Sequence, residues 1–200
     1  MKQQLGPTDI FFPVPAALIV SGPFRQVDII TIAWVGMVSS TPPTVGISLD
    51  KRRYSLELIR STGEFSVNIP DAAHFEEADF CGMVSGRKVD KFVQSGLTPL
   101  AAGKLKTAII KECPFNMECR VIREIELGDY VLILGEVLET HIDEDKVDAS
   151  NNRPQIDIAK TNPLVYCATV REYWSLGSKL GKAFQAGKTI LDQGEDSRCK

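Results

Sequence analysis

Histidine is scarce in this chain: His74 and His141 are the only two in 200 residues. Chemistry built on imidazole, as a metal ligand or as an acid–base group, has little to draw on. The five cysteines, Cys81, Cys113, Cys119, Cys167 and Cys199, are odd in number, and no two stand at Cys-x-x-Cys spacing. That pattern argues against a disulfide framework and against a zinc site. No apolar run nears the roughly 18 residues that cross a bilayer. The opening residues MKQQLGPTDI lack the apolar stretch of a secretory leader. A cytoplasmic setting with no membrane partner is the expectation. Basic and acidic residues nearly balance, 23 against 26, for a net charge of −3, so no broad basic surface for nucleic acid is expected. With 44% hydrophobic and 24% charged residues, the composition is that of a folded globular chain. No internal repeat or linker breaks it, and residues 1–200 read as one domain. If the protein is an enzyme, a bound cofactor has to carry the reaction.

What is present is a succession of short strand-like segments. Residues 13–20 (PVPAALIV), 27–34 (VDIITIAW) and 44–49 (TVGISL) are apolar and β-branched, with Gly22-Pro23 and Pro42-Pro43 as breaks. The segment YSLELIRST (54–62) carries Leu56, Leu58 and Ile59, and Gly63 stops it, which is the pattern of a short helix. Residues 64–69 (EFSVNI) return to strand. Asp71 is placed to cap a helix over about 72–82. The stretch SGRKVDKFVQSG is turn-rich around one apolar helical turn. Strands follow at 106–112 and 115–123. In the latter, Phe115, Met117, Cys119 and Val121 alternate with Asn116, Glu118 and Arg120, the period of a half-buried strand. The turn Leu127-Gly128-Asp129 leads into 130–138 (YVLILGEVL) as its antiparallel partner. Residues 143–153 read as a solvated loop, 164–170 as the last strand, and the tail from about 178 as helical at best. Seven or eight short strands and few long helices give a mainly β chain, an antiparallel barrel with helical insertions.

Two tempting motifs fail on counting. GKAFQAGKT (181–189) has five residues between Gly181 and Gly187, where a phosphate loop of the Walker type has four. Counting a calcium loop from Asp143, through Asp145, puts Asp148 where glycine belongs and Pro154 where the closing acid belongs. The turn KRRYS is more informative. Lys51, Arg52 and Arg53 stand between a strand and a helix, where unpaired N–H groups and forked guanidinium donors suit an anion. Ser55 reads as a helix N-cap, and Thr31 and Ser48 offer hydroxyls on neighbouring strands. Taken alone, KRRYS is also simply a solvated turn. Trp34 is core or the border of a planar ring. Lys91, between apolar residues in VDKF, is a solvated lysine or a cation aimed at an anionic ligand group. Cys81 lies near a glycine-rich turn, but His74 is seven residues away, and a small packing role outweighs a nucleophilic one.

Together these segments resemble the flavin reductase-like family of FMN-binding split barrels, in its flavoredoxin-type branch. The resemblance is carried by PVPAALIV (13–20), TIAWVG (31–36), TVGISLDKRRYSLELI (44–59), GEFSVNIP (63–70), DFCGMVSGRKVDKF (79–92), GDYVLILGEV (128–137) and YWSLGSKLGKAFQAGK (173–188). It implies a Greek-key split barrel over about 8–175 with a C-terminal tail over 176–200, working as a homodimer. It further implies FMN in a groove near the dimer interface. The phosphate would meet Lys51, Arg52, Arg53 and Ser55, and the flavin side would be lined by Thr31, Ala33, Trp34, Ser48 and the Ser39–Ser40 turn. Cys81, Ser85, Asp90 and Lys91 would complete the site, with Lys91 near the isoalloxazine ring, where a positive charge favours the reduced flavin. Two positions depart from the family pattern. Tyr130 stands where many reductases carry histidine after Gly-Asp, and Asp28 stands where some relatives carry asparagine. The implied activity passes electrons from NAD(P)H, or another reduced donor, through FMN to flavin, ferric iron or a protein acceptor. The alternatives are an FMN-binding electron carrier without nicotinamide activity and a ligand-free dimeric scaffold or sensor.

Overall fold

A computed structural model describes residues 1–148, 155–188 and 190. The chain opens with β1 (Val14–Pro15), β2 (Ala17–Ser21), β3 (Asp28–Ile32), β4 (Val35–Ser40) and β5 (Pro43–Asp50). Helix α1 (Tyr54–Thr62), strand β6 (Glu64–Ile69) and helices α2 (Phe75–Met83) and α3 (Lys91–Ser95) follow. Then come β7 (Pro99–Ala101), β8 (Ala108–Ile110) and a long hairpin of β9 (Phe115–Leu127) and β10 (Tyr130–Ile142). Short β11 (Val147–Asp148), β12 (Gln155–Ile156), α4 (Ile158–Thr161), β13 (Val165–Cys167) and β14 (Glu172–Trp174) complete it.

Seven strands make one antiparallel sheet in the order β3-β2-β6-β9-β10-β5-β4. Strands β3 and β5 are not neighbours in that order. Strands β3 and β4 are the two ends of that order yet consecutive in the chain, so the sheet curls back on itself; Ser48 N donates to Trp34 O at 2.9 Å and extends the β4–β5 ladder by one residue. The result is a barrel split along one seam, as the sequence resemblance implies.

All five residues of β2 are buried, because both faces of the strand are covered. Ala17 and Ile19 point into the barrel with Ile32, Ile47, Phe65, Val67 and Ile133. Leu18 and Val20 point outward under Ala78 and Cys81 of α2 and Phe92 of α3. Each large side chain so buried contributes about 1.5–3 kcal/mol. Helix α1 ends where Gly63 adopts a left-handed φ of 70° and returns its N–H to Ile59 O.

A buried carboxylate fastens a loop to the barrel. Glu118 on β9 is fully buried. It accepts hydrogen bonds from Gly103 N (2.7 Å), Lys104 N (2.6 Å), Leu105 N (3.1 Å) and His141 Nε2 (2.7 Å). Burial pushes its pKa up, but His141 and the Gly103 and Lys104 N–H groups prevail and hold it below the ordinary glutamate value. The loop between β7 and β8 is thereby clamped to the barrel.

Several elements differ from the sequence reading. The stretch 13–20 is two strands, because Ala16 N turns aside to Leu164 O. The strand expected over 27–34 stops at Ile32, and a strand not expected, β4, follows at once and pairs back on β5. The segment 106–112 shortens to Ala108–Ile110 and pairs with β7. The last expected strand shortens to Val165–Cys167. Asp71 caps a single 3-10 turn over Ala72–His74, and α2 begins after it. The Asp148 end of the solvated loop forms β11; residues 149–154, Thr189 and 191–200 lie outside the described residues.

Candidate functional site

Where β5 ends, Arg53 N donates to Asp50 O at 3.0 Å and the chain turns into α1. Arg53 is the N-cap residue, and its side chain makes no cap hydrogen bond. The first turn of α1 therefore presents main-chain N–H groups that no side chain caps, with the positive end of the helix dipole behind them. In front of that turn lies a cavity of about 270 Å³ walled by Asp50, Arg53, Tyr54, Ser85, Gly86 and Lys91, among others. A second cavity of about 150 Å³ runs along the seam, walled by Thr31, Ala33, Trp34, Ser48, Arg53 and Tyr130. The two share Ile30, Asp50 and Arg53 as walls and form one groove.

The ends of the groove differ in chemistry. One end is polar and centred on Arg53. Among the described residues Arg53 has no ion-pair or side-chain hydrogen-bond partner. The other end is aromatic: the Trp34 and Tyr130 rings lie tilted at 45° with centroids 4.9 Å apart. Ile32, Ala33, Ser48 and Leu49 complete the walls of this end.

Behind the polar end stands a buried ionic brace. Asp28 and Lys91 are 5% and 4% exposed. Lys91 Nζ lies 3.5 Å from Asp28 Oδ1 and donates to Ile29 O and to Cys81 O at 3.1 Å. Asp28 Oδ2 accepts from Ser55 Oγ at 2.8 Å, and Ser55 O in turn accepts from Ser21 Oγ. Burial lowers the Lys91 pKa; the Asp28 charge opposes that without reversing it. The brace ties β3, α1, the end of α2 and the start of α3 into one wall. Gly86 is required in it, since a β carbon there would stand 2.0 Å from Asp28 Oδ1.

The residues named from sequence separate accordingly. Thr31, Ala33, Trp34, Ser48, Arg52, Arg53, Ser55, Ser85, Lys91 and Tyr130 all line the groove. Within the basic turn only Arg53 is free to meet an anion. Lys51 Nζ pairs with Glu126 at 2.8 Å. Arg52 forks onto Asp50 and holds its carboxyl well below the usual range. Ser55 is not the N-cap; it lies within the first turn of α1, and its hydroxyl is engaged by Asp28. Lys91 belongs to the Arg53 end and not to the Trp34–Tyr130 end, and its ammonium is spent on two carbonyls and Asp28. Ser39 and Ser40 sit at the far end of the β4–β5 hairpin, opposite Thr44 and Pro43, and line neither cavity. Cys81 is fully buried, with its thiol pushed up to about 11 mainly by burial, which leaves it a packing residue. Asp90 caps α3 through Val93 N and faces a neighbouring cavity. Thr31 Oγ1 donates to Ala78 O.

Sequence reasoning missed Asp50, Tyr54 and Gly86 as walls. It also noted Asp28 only as a departure, whereas Asp28 is the counter-ion of Lys91. Lys91 between apolar residues in VDKF was the available signal, since a lysine buried there needs a carboxylate. Among the described residues no cluster of metal-ligating side chains is present, and no helix is long and apolar enough to cross a membrane.

Residues 10–175 match the model of the flavin reductase like domain. The structure is similar to flavoredoxin of Desulfovibrio vulgaris (Miyazaki F), with 32% identity and a TM-score of 0.87 over 94% of this chain and all (100%) of that one. An uncharacterized protein of Archaeoglobus fulgidus is 37% identical over 136 residues, 68% of this chain and 76% of its own. An NADH-dependent FMN reductase of Streptomyces nodosus subsp. asukaensis is 29% identical over 66% of this chain and 70% of its own. With a family match spanning most of the chain and a split barrel shared with flavoredoxin, the chain belongs to the flavin reductase-like family.

Proposed function

We propose that the groove binds FMN and that the protein is a flavin-dependent oxidoreductase, taking electrons from NAD(P)H or another reduced donor and passing them to flavin, ferric iron or a protein acceptor. The observation that carries the reading is Arg53, a guanidinium without a partner among the described residues, set at an uncapped helix start and facing a groove whose other end is aromatic. A terminal phosphate and a planar ring system need those two ends in that order. Their combined space falls near the lower end of the usual range for small-molecule sites.

Bound FMN would supply the two-electron chemistry; the chain's own residues bind and orient. Arg53 and the α1 N–H groups hold the phosphate. Ser85 adds a hydroxyl beside it, and the Asp28–Lys91 brace fixes that wall. Trp34 and Tyr130 border the ring, and Thr31 and Ser48 face its edge. Neither histidine lines the groove, and at its aromatic end a phenol, Tyr130, stands beside Trp34. That favours, as second reading, an electron carrier whose flavin is reduced by another protein and not by a nicotinamide.

A second copy of the chain completes this reading. Strand β4 has β5 as its only recorded neighbour and forms an edge of the sheet. It exposes Met37 (57%) and Val38 (56%) close to Trp34 (39%). An apolar sheet edge of this kind is normally covered, and a two-fold partner would shelter the open side of the groove.

The test is a titration of flavin-free protein with FMN and with riboflavin, repeated on Arg53→Ala. A charge-assisted hydrogen bond is worth about 1.5–3 kcal/mol, so the phosphate should improve affinity at least about tenfold, and Arg53→Ala should remove most of the difference. Equal affinities of the two flavins for the native protein would refute the assignment. Anaerobic NADH and NADPH then separate the readings: a reductase loses its visible flavin absorbance, and a carrier keeps it.

A further inference from the structure

The first residue of α2 and the edge strand β14 wall a cavity of about 340 Å³, lined by Phe75, Glu172, Tyr173 and Trp174. Three of its four walls are aromatic and the fourth is a carboxylate. Phe75 and Trp174 are 45% and 55% exposed, and among the described residues no ring or cation lies against either. Glu172 is exposed, and its carboxylate has no hydrogen-bond or ion-pair partner in the same set. Tyr173 is held in place. Its phenol donates to Asp79 Oδ1 at 3.2 Å, and its ring lies 5.3 Å from that of Tyr166, centroid to centroid. Burial, with Asp79 beside it, pushes the phenol pKa up, so the proton in that bond stays in place at neutral pH. Tyr173 also walls a second cavity, of about 280 Å³, with Asp79, Met83 and Tyr166. That space backs onto Thr31–Ala33, which wall the seam of the flavin groove. No lysine, arginine or histidine lines either space, whereas the groove has Arg52, Arg53 and Lys91.

We propose that this trough binds an organic ammonium cation, its head among Phe75, Tyr173 and Trp174 with Glu172 as counter-charge, and its body over Tyr173 toward Met83. The faces of the three rings carry the negative lobe of the aromatic quadrupole and attract a cation set over them. An anion meets Glu172 and Asp79 with no donor of opposite charge to offset them. A neutral apolar ligand strips water from the Glu172 carboxylate and returns nothing. An inorganic cation wants several oxygen ligands, which the rings do not supply. A carbon-substituted ammonium satisfies all three conditions, because it is weakly hydrated, carries the required charge and presents apolar surface to the rings. The cavity volume lies within the usual range for small-molecule sites. The flavin reading is independent of this one, since the cage shares no wall with the Arg53 end of the groove.

The probes are choline, its uncharged isostere 3,3-dimethylbutan-1-ol, and benzyltrimethylammonium, whose ring supplies a body. Binding is read by saturation-transfer NMR on the native protein and on Trp174→Ala, Trp174→Phe, Glu172→Gln and Met83→Ala, all at exposed positions. Choline should bind at least about tenfold more tightly than the isostere. Trp174→Ala should weaken choline at least about fivefold, Trp174→Phe should restore most of that, and Glu172→Gln should weaken choline while leaving the isostere unchanged. Met83→Ala should weaken benzyltrimethylammonium and leave choline within twofold. Equal affinities of choline and the isostere overturn the cage, as does indifference of choline to Trp174→Ala. Indifference of benzyltrimethylammonium to Met83→Ala overturns the placing of the body. A decalysine peptide that binds more tightly than either ammonium probe overturns the small-molecule assignment in favour of a basic protein partner. Sedimentation of native protein and Trp174→Ala closes the test: a change of oligomeric state without choline binding assigns the rings to contact between copies and overturns the site.

Discussion

Replacing Lys91 with methionine preserves most of the volume of the side chain and removes one buried positive charge. In the native protein that charge serves Ile29 O, Cys81 O and Asp28 at once. Without it, Asp28 keeps one recorded donor, Ser55 Oγ at 2.8 Å, and remains 95% shielded by the surrounding chain if nothing moves, given its native exposure of 5%. A buried carboxylate that loses its counter-ion costs about 3–5 kcal/mol. Set against a typical total of about 5–15 kcal/mol, that is a large fraction of the stability. With a urea dependence of about 2 kcal/mol/M, the unfolding midpoint should fall by about 2 M. The control is Lys91→Met combined with Asp28→Leu, which removes both charges and should recover more than half of the loss. Urea titrations of the native chain and the two variants supply the numbers. A midpoint for Lys91→Met within about 0.5 M of native, or a double variant no better than the single one, would refute the claim that the pair braces the wall.

Two further outcomes follow from the geometry. Glu118→Gln should lose about 2–3 kcal/mol at pH 7, because four donors then face a neutral amide. Since the native carboxyl titrates below its ordinary 4.5, its contribution is complete above that value and fades as pH falls through the native pKa. Urea melts between pH 7 and pH 3 should therefore show the gap between native and variant closing, and a constant gap would contradict the assignment. Gly86→Ala places a β carbon 2.0 Å from Asp28 Oδ1, so the loop or the carboxylate has to shift. Overpacking of this kind costs about 1–3 kcal/mol, and FMN affinity, read by flavin fluorescence, should drop about tenfold or more; unchanged affinity would place the Ser85–Gly86 wall outside the site.

Much of the barrel is legible in local pattern. The alternation from Phe115 to Val121 marks β9, and Gly63 marks the end of α1, because pleat and left-handed backbone leave their signature within a few residues. Strand β4 was hidden because nothing between Ile32 and Val35 is glycine or proline; the chain breaks there by curling toward β5, a tertiary cause. The same limit applies to the site. KRRYS displays three equal cations, but Glu126, 75 residues away, claims Lys51, and that pairing cannot be seen from the turn itself. Lys91 reads as a candidate ring-side charge until Asp28, Ile29 and Cys81 are brought around it. Side chains that act through their own local helix or strand were readable. Those whose partners come from across the barrel were not.

Along the seam between β3 and β5, no strand pairing joins the two among the described residues. A ligand lying there touches both sides of a wall that the sheet leaves almost unjoined, and so acts as a removable stave in the barrel. Binding energy spent across the seam returns as resistance to unfolding. At a free ligand concentration of about 100 times Kd, the folded state gains about 2.7 kcal/mol. Cofactor supply and protein lifetime thus become one variable: chains made where the ligand is scarce are the ones that unfold first, and the population that persists is already loaded.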